Sequence, residues 1–215
     1  MPKAPSTFLF DLDGTLIDHF AAIHRSYKHT LGEMGLPAPT LAQVRSAVGG
    51  GFENSMRRFV SEAELPRAMK IYREYWDRTM LDDVVLLPGA LPLLEALKNK
   101  GAALAVLSNK VGPSSRLICE HLGIKPFLQA IVGAQDTPWL KPQPELIAYV
   151  LGLLKATAAG AVMIGDSPYD IEAAHTGSMP AWCVTTGTHD AGQLRAAGAD
   201  VIYANLDGIR EALGL

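Results

Sequence analysis

Several features that would place this chain in a special class are absent or scarce. It has only two cysteines, Cys119 and Cys183, which predicts reduced thiols and no disulfide framework. The formal net charge is -3, so no basic surface for nucleic acid is expected. The longest apolar stretch, residues 84–94, is interrupted by proline and glycine and is too short to span a bilayer. Residues 1–6 lack the apolar core of a signal peptide, so we predict a cytoplasmic protein without a membrane partner.

Apolar residues, by contrast, are plentiful and show two different patterns along the sequence. They make up 48% of the 215 residues, enough to build a core domain that carries a small insert. Residues 20–80 show helical periodicity alone, with a capping-box pattern at Thr40 and a proline suited to a first helical turn at Pro66. This part predicts four helices that pack as a small bundle.

Beyond residue 100, apolar runs alternate with helical patterns, which is typical of a parallel sheet covered by helices. The run at residues 7–10 belongs with these strands, so residues 20–80 interrupt the sheet domain. The predicted strands are Ala103–Leu107, Ala130–Ala134, Ala161–Ile164, Trp182–Thr185 and Val201–Tyr203, and the predicted helices lie near 90–100, 113–122, 144–154, 168–176, 190–197 and 207–213.

The most informative segment is the sequence Asp-Leu-Asp-Gly-Thr that begins directly after the first strand. Asp11 and Asp13 stand where ligands bind in open α/β sheets, beyond the carboxyl end of a strand. Two carboxylates so close together repel each other, and burial disfavours their charged forms. A metal ion removes that cost, and Mg²⁺ is typically held by one or two carboxylates together with substrate phosphate. A plain solvated turn is the alternative interpretation of this segment.

Three further polar groups follow predicted strands or open predicted helices. Ser108 and Asn109 come after a strand, where a hydroxyl and backbone N–H groups suit a phosphate oxygen or an ordinary helix cap. Lys141 lies in a Lys-Pro-Gln-Pro segment, where prolines restrict the backbone around the lysine. Asp166 and Asp170 occur in the segment Gly-Asp-Ser-Pro-Tyr-Asp, in which Asp170 also suits the first turn of a helix.

Together these four segments resemble, in order and in structural context, the four motifs of the haloacid dehalogenase superfamily. The resemblance implies an α/β fold with a Rossmann-like parallel sheet core and an inserted four-helix cap domain of the C1 type. It places the core domain at residues 1–18 and 82–215 and the cap domain at residues 19–81. The crossings between them are expected near Ile17–His19 and Leu81–Leu87.

The resemblance also implies a mechanism. Asp11 would be the nucleophile that forms an aspartyl-phosphate, and Asp13 the general acid and then base. Mg²⁺ would be held by Asp11, Asp166 and the backbone carbonyl of Asp13. Ser108, Asn109 and Lys141 would bind phosphate oxygens, and Thr15, also in the phosphate site, would orient Asp13. Asp170 would hold Lys141 or a metal-bound water. The presence of Asp13 disfavours a dehalogenase, since that branch of the superfamily lacks the second aspartate.

The cap region carries the substrate-specificity candidates. Residues 48–52 resemble the Val-Gly-x-Gly loop of phosphoglycolate phosphatase-like proteins, so Gly49, Gly50 and Gly51 are candidates for meeting a carboxylate or sugar, or form a plain interhelical turn. Arg45 and His19 are further candidates, with a solvated face and a hinge or core position as their alternatives. The sequence thus predicts a phosphatase of a small phosphate ester, working as a monomer or homodimer. A β-phosphoglucomutase-type phosphotransferase, a nucleotidase, a pyrophosphatase and a non-catalytic module remain as alternatives.

Overall fold

The computed structural model describes residues 5–215, which form an α/β fold around a six-stranded parallel sheet. The sheet order is β5-β4-β1-β6-β7-β8, and every neighbouring pair is parallel. A second, antiparallel pair joins β2 to β3. In chain order the strands are β1 (Thr7–Phe10), β2 (Ile17–Asp18), β3 (Val85–Leu86), β4 (Ala103–Val111), β5 (Ala130–Ala134), β6 (Ala161–Gly165), β7 (Ala181–Val184) and β8 (Val201–Tyr203).

The helices lie between these strands, as the alternation of apolar runs and helical patterns in the sequence predicted. Six of the ten α-helices of residues 5–215 connect or follow strands of the large sheet, and the other four lie between β2 and β3. The helices are α1 (Phe20–Glu33), α2 (Leu41–Ala47), α3 (Phe52–Met56), α4 (Leu65–Thr79), α5 (Ala90–Asn99), α6 (Gly112–His121), α7 (Pro144–Leu153), α8 (Pro168–Thr176), α9 (Ala191–Ala196) and α10 (Leu206–Ala212). Both the α/β class and the parallel core sheet are therefore confirmed.

The sheet is covered on both faces because its strand residues alternate between two buried clusters. Phe8 and Phe10 of β1 belong to one cluster, which includes residues of α5, α6 and α10. Leu9, between them in sequence, belongs to the other cluster, with residues of α7, α8 and α9. This period of two is the expected consequence of strand geometry. Strand β1, which pairs with β4 on one side and β6 on the other, is buried along its whole length.

The four-helix insert packs mainly through α1 and α4, which cross its interior. Tyr27 of α1 and Tyr72 of α4 lie with their ring centroids 5.2 Å apart. The capping box predicted at Thr40 is present at the start of α2, and Pro66 lies in the first turn of α4. Helix α3 is short, ends at Met56 and is followed by turns.

Two local differences from the sequence expectations concern segments beside the site. Strand β4 continues to Val111, with irregular register against β5 between Leu107 and Val111, so Ser108 and Asn109 lie inside the strand rather than after it. Both chain crossings into the insert form the short pair β2–β3, with Ile17 opposite Leu86. In the described part of the chain, no helix combines the length and apolar character needed to cross a membrane.

Candidate active site

The side chains of the four motif segments come together at the carboxyl edge of the three central strands. Asp11 directly follows β1, and its backbone N–H donates to Ile164 O of β6 at 2.9 Å. Asp166 directly follows β6, and Asn109 lies near the end of β4. Because β4, β1 and β6 are neighbours in a parallel sheet, their carboxyl ends meet at one edge. The topology thus joins segments that are more than 50 residues apart in sequence.

Lys141 connects two of the carboxylates at the centre of this edge. Its Nζ lies 2.8 Å from Asp11 Oδ1 and 2.6 Å from Asp170 Oδ1, and its side chain is 2% exposed. Burial by itself would lower the pKa of Lys141, but the two carboxylates raise it above its usual range, so the lysine is charged. Asp11 Oδ2 accepts no hydrogen bond from residues 5–215, which leaves this oxygen available to a ligand.

Asp170 combines the two roles considered for it from sequence. Its Oδ1 binds Lys141, while its Oδ2 accepts from Ser167 N at 3.0 Å and from Ser167 Oγ at 2.6 Å. The second set of contacts is a capping box at the start of α8. A Cβ on Gly165 would lie 2.2 Å from Asp170 Cγ, so a glycine is required where the strand passes this carboxylate. The helix start therefore holds Asp170 in position for Lys141.

Asp166 is held by two threonines from different loops. Thr15 Oγ1 donates to its Oδ1 at 3.3 Å, and Thr188 donates to its Oδ2 through N at 2.7 Å and through Oγ1 at 2.9 Å. Thr15 was expected to orient Asp13, so its partner here differs from that expectation. The bend at Gly14, with φ of 86°, lets the loops approach, since a Cβ there would lie 2.8 Å from Asp166 Oδ2.

The carboxylates of Asp11, Asp166 and Asp170 form a group that suits a metal ion. One oxygen of each lies within 4.8 Å of the others, and all three residues are buried. Burial first, and then the negative charge of Asp170, raise the pKa of Asp166 to about 8, and burial raises the pKa of Asp11 to about 6. An all-oxygen, anionic donor set is the kind that hard divalent cations prefer. The residues present therefore fit a metal.

Asp13 is not a member of this group and binds Lys110. Lys110 Nζ lies 3.1 Å from Asp13 Oδ1 and 2.9 Å from Oδ2, and it also lies 4.6 Å from the centroid of the Trp76 ring. Burial would raise the pKa of Asp13, but the Lys110 ammonium lowers it below its usual range. Asp13 is thus ionised in this arrangement, and its side chain does not belong to the carboxylate group that suits a metal.

His19 lies beneath Asp13 and is fully buried. Its Nε2 donates to Met80 O at 2.6 Å, which assigns the proton of the neutral ring to that nitrogen. Its Nδ1 is 3.5 Å from Asp13 Oδ1 and has no hydrogen-bond partner among the described residues. Burial, followed by the charge of Lys110, lowers the pKa of His19. This histidine joins the two chain crossings, because it precedes α1 and Met80 follows α4.

Asn109 joins three segments around the site. Its Nδ2 donates to Gly49 O at 2.9 Å and to Lys141 O at 3.1 Å, and its Oδ1 accepts from Lys141 N at 2.8 Å. These bonds fix the loop that carries Lys141 and connect the core sheet to the glycine loop of the insert. Ser108 is buried beside it, and its Oγ accepts from Lys110 N at 3.3 Å.

A cavity of 320 Å³ opens above these residues, between the sheet and the insert. Asp11, Asp13, Asp166, Ser108 and Asn109 line it from the sheet side. From the insert, the lining includes Gly49 and Gly51 together with the aromatic side chains of Tyr27, Phe52, Tyr72 and Trp76.

Three of the specificity candidates lie outside this lining. Gly50 faces Tyr169, whose hydroxyl would be 2.6 Å from a Cβ at position 50. Arg45 donates through Nη2 to Gly187 O at 2.9 Å and lies over the Phe20 ring. His19 is 0% exposed and is covered by Trp76 and Met80. In this conformation Arg45 thus connects the insert to the loop that follows β7.

Lys110, Thr188 and the aromatic lining were not predicted from sequence as functional residues. Lys110 had a usable signal, since it directly follows Ser108 and Asn109. Thr188 follows β7 in a Thr-Thr-Gly-Thr segment, and only the pairing of β7 with β6 brings that loop to Asp166. The aromatic residues showed the spacing of helical core positions, and the same spacing serves a cavity wall and a packed interior.

Comparison with known proteins agrees with this geometry. The family model described as haloacid dehalogenase-like hydrolase matches residues 8–184, so the chain belongs to that family. The resemblance stated from the motifs is thereby confirmed, and with it the assignment to phosphoglycolate phosphatase-like hydrolases.

Individual relatives align over nearly the whole chain. The plasmid phosphoglycolate phosphatase of Cupriavidus necator is 30% identical over 94% of this chain and 90% of its own length. The tyrosine-protein kinase PtkA of Mycobacterium tuberculosis is 29% identical over 99% of this chain and 74% of its own length. Among solved structures, a predicted phosphoglycolate phosphatase from Haemophilus somnus has a TM-score of 0.90 at 25% identity and covers 97% of both chains.

Proposed function

We propose that this protein is a Mg²⁺-dependent phosphatase that hydrolyses a small phosphomonoester through an aspartyl-phosphate on Asp11. The observation that carries the proposal is the buried contact of Lys141 with Asp11 and Asp170, beside Asp166 and beneath the cavity. Phosphoryl transfer depends mainly on positioning and charge stabilisation, and this arrangement can supply both. The likeness to proteins named phosphoglycolate phosphatase supports the same reaction.

In the first step, Asp11 Oδ2 attacks phosphorus, and the bond from phosphorus to the ester oxygen breaks. Lys141, bound to Asp11 Oδ1, orients the carboxylate and offsets part of the negative charge that gathers as phosphate approaches. The departing oxygen takes a proton from Asp13, which acts as general acid. Ser108, the Asn109 backbone and Lys141 receive phosphate oxygens in this proposal.

Asp13 must hold a proton for that step, although Lys110 keeps it ionised in this structure. An incoming phosphate dianion competes with Asp13 for Lys110, and loss of the lysine removes the main influence that lowers the pKa of Asp13. In the second step, water attacks the phosphorus bound to Asp11, and Asp13 accepts the proton of that water. Inorganic phosphate leaves, and the Asp11 carboxylate is restored.

Asp11, Asp166 and the backbone carbonyl of Asp13 would hold Mg²⁺, with Asp170 close to them. Bound there, the ion would offset the repulsion between these carboxylates and the substrate phosphate. Thr15 and Thr188 would then position Asp166 through the hydrogen bonds that they make in the structure.

The insert acts as a cap in this proposal, with the cap domain at residues 19–81 and the core domain at residues 1–18 and 82–215. The antiparallel pair β2–β3 lies at both crossings and can serve as the hinge. A cytoplasmic location and a monomeric or homodimeric state stay predictions. Transfer of the phosphoryl group to a hydroxyl acceptor is a second candidate, supported by the likeness to a protein named tyrosine-protein kinase.

The test is release of inorganic phosphate from a panel of phosphomonoesters, including 2-phosphoglycolate, with Mg²⁺ and with EDTA. We expect Mg²⁺-dependent release that Asp11→Asn lowers by at least about 10³-fold, because the nucleophile is lost. Asp190→Asn, an exposed helix cap where asparagine serves equally well, is the matched control. Quenched wild-type reactions should contain hydroxylamine-sensitive phosphate bound to the protein. Near-normal turnover by the Asp11 variant would contradict the assignment, and phosphate transfer without release would favour the second candidate.

A further inference from the structure

The two sides of the cavity differ in chemistry. The sheet side carries the charged residues Asp11, Asp13, Asp166 and Lys110. The insert side carries an aromatic wall, defined here as Tyr27, Phe52, Tyr72 and Trp76. Since the phosphate reacts at Asp11, the part of the substrate that points away from the sheet meets this wall.

The aromatic wall is continuous across three helices of the insert. Tyr72 lies at its centre, with ring centroids 5.2 Å from Tyr27, 4.5 Å from Phe52 and 5.7 Å from Trp76. Tyr27, Tyr72 and Trp76 are nearly fully buried, whereas Phe52 is half-buried at the edge of the wall. Aromatic faces and edges of this kind attract another ring in offset or edge-to-face geometry.

Charges that could bind an anionic leaving group are scarce on this side. Arg73 is exposed, with its guanidinium carbon 5.9 Å from the Phe52 ring centroid, and Asp77 one turn later brings a negative charge to the same lining. Lys110 is already bound to both oxygens of Asp13. The cavity as a whole is lined by two cationic side chains, Arg73 and Lys110, and four carboxylates, Asp11, Asp13, Asp77 and Asp166.

The hydroxyl groups on the insert side also supply no positive charge. Burial raises the pKa of both Tyr27 and Tyr72, so these phenols stay neutral. Ser55 Oγ donates within the insert, to Ala47 O at 2.6 Å. A carboxylate on the leaving group would therefore exchange water for an aromatic surface on which the charge of Arg73 is offset by Asp77, which is costly.

We propose that the preferred substrate is a phosphate monoester of an uncharged aromatic alcohol, whose ring packs against the aromatic wall formed by Tyr27, Phe52, Tyr72 and Trp76. This inference rests on the proposed function, since it requires phosphate to react at Asp11. The size of the cavity agrees, because a volume of 320 Å³ lies in the range of pockets for ring-bearing ligands and far exceeds what glycolate would fill.

The first experiment compares benzyl phosphate, ethyl phosphate and 2-phosphoglycolate with the wild-type protein and Mg²⁺. All three esters have a primary alkyl oxygen as leaving group, so differences in kcat/KM report the rest of the molecule. We expect benzyl phosphate to exceed each of the other two by about tenfold or more, which corresponds to the usual strength of an aromatic contact. A kcat/KM for 2-phosphoglycolate equal to or above that of benzyl phosphate overturns the proposal.

Two phenylalanine variants test whether the preference for benzyl phosphate depends on the aromatic wall. Phe52→Leu should lower the benzyl-to-ethyl ratio of kcat/KM about threefold or more, because one of the four aromatic contacts is lost. Phe59→Leu should keep that ratio, because Phe59 is also half-buried and contacts Tyr27 at 5.0 Å but does not line the cavity. Taking the ratio within one protein sample cancels any loss of folded enzyme. An unchanged ratio in Phe52→Leu contradicts the wall assignment.

The same assay distinguishes failure of this inference from failure of the proposed function. Acetyl phosphate, which is small and reactive, serves as a substrate that does not depend on the wall. Its hydrolysis without a benzyl preference overturns only the substrate class. No phosphate release from acetyl phosphate or from any ester overturns the proposed function, and the substrate class with it.

Discussion

Replacing Asp166 by asparagine should stabilise the metal-free protein while removing its response to metal. Asp166 is buried near Asp11 and Asp170, and its pKa rises from 3.8 to about 8. Each tenfold change in an acidity constant corresponds to about 1.4 kcal/mol, so ionising Asp166 at about pH 8 costs the folded state up to ~5 kcal/mol. Relaxation and water entry reduce such costs, and we expect a gain of about 2 kcal/mol in Asp166→Asn.

The same groups define a pH dependence of the wild-type protein without metal. Asp11 and Asp166 have pKa values raised from 3.8 to about 6 and about 8, so between about pH 4 and 8 the folded state holds more protons than the unfolded chain. The contribution of these two carboxyl groups to the free energy of unfolding therefore falls as pH rises through this window. In Asp166→Asn the decrease should be smaller, because only the Asp11 part remains.

The assay is urea unfolding in EDTA and in saturating Mg²⁺, at several pH values within this window. Wild-type protein should gain stability from Mg²⁺, by about 3 kcal/mol when the ion is at 100 times its dissociation constant, and the Asp166 variant much less. Asp190→Asn should stay within about 0.5 kcal/mol of wild type in every condition, because asparagine caps a helix as well as aspartate. A metal-free Asp166→Asn protein less stable than wild type at about pH 8 would refute the electrostatic reasoning.

Two further predictions concern stability away from the site. Thr40→Ala should lower the free energy of unfolding by about 1 kcal/mol, because the capping box with Gln43 is lost, whereas Thr40→Ser should stay close to wild type in the same urea titration. Asp136→Asn should lower it by about 1 kcal/mol at neutral pH, since Asp136 accepts from Gly133 N at 2.9 Å and from Arg116 at 2.7 Å. Burial would raise the pKa of Asp136, but Arg116 lowers it, so its contribution is present above the unfolded pKa of 3.8 and should disappear as pH falls through the lower folded value; a difference that persists in strong acid would contradict this explanation.

The local structure of this chain, meaning its strands, helices and helix caps, could be predicted from its sequence. Periodicity predicted the alternation of strands and helices that the structure shows, and the strand-ending carboxylates predicted that Asp11 and Asp166 lie at the edge of the sheet. These features depend on short stretches of sequence, because strand burial, helix capping and turn formation are decided by neighbouring residues. For this reason the capping box at Thr40 could be predicted without coordinates.

Partner choice within the site was decided only by the tertiary structure. Asp13 binds Lys110, Thr15 binds Asp166 instead of Asp13, and Thr188 reaches Asp166 from the loop after β7. Each of these contacts joins residues at least 22 positions apart in sequence, so their distances depend on sheet order and on the path of the loops. The aromatic wall has the same origin: a helical stripe of apolar residues faces inward in any fold, and only the packing of the insert on the sheet determines whether it meets protein or a cavity.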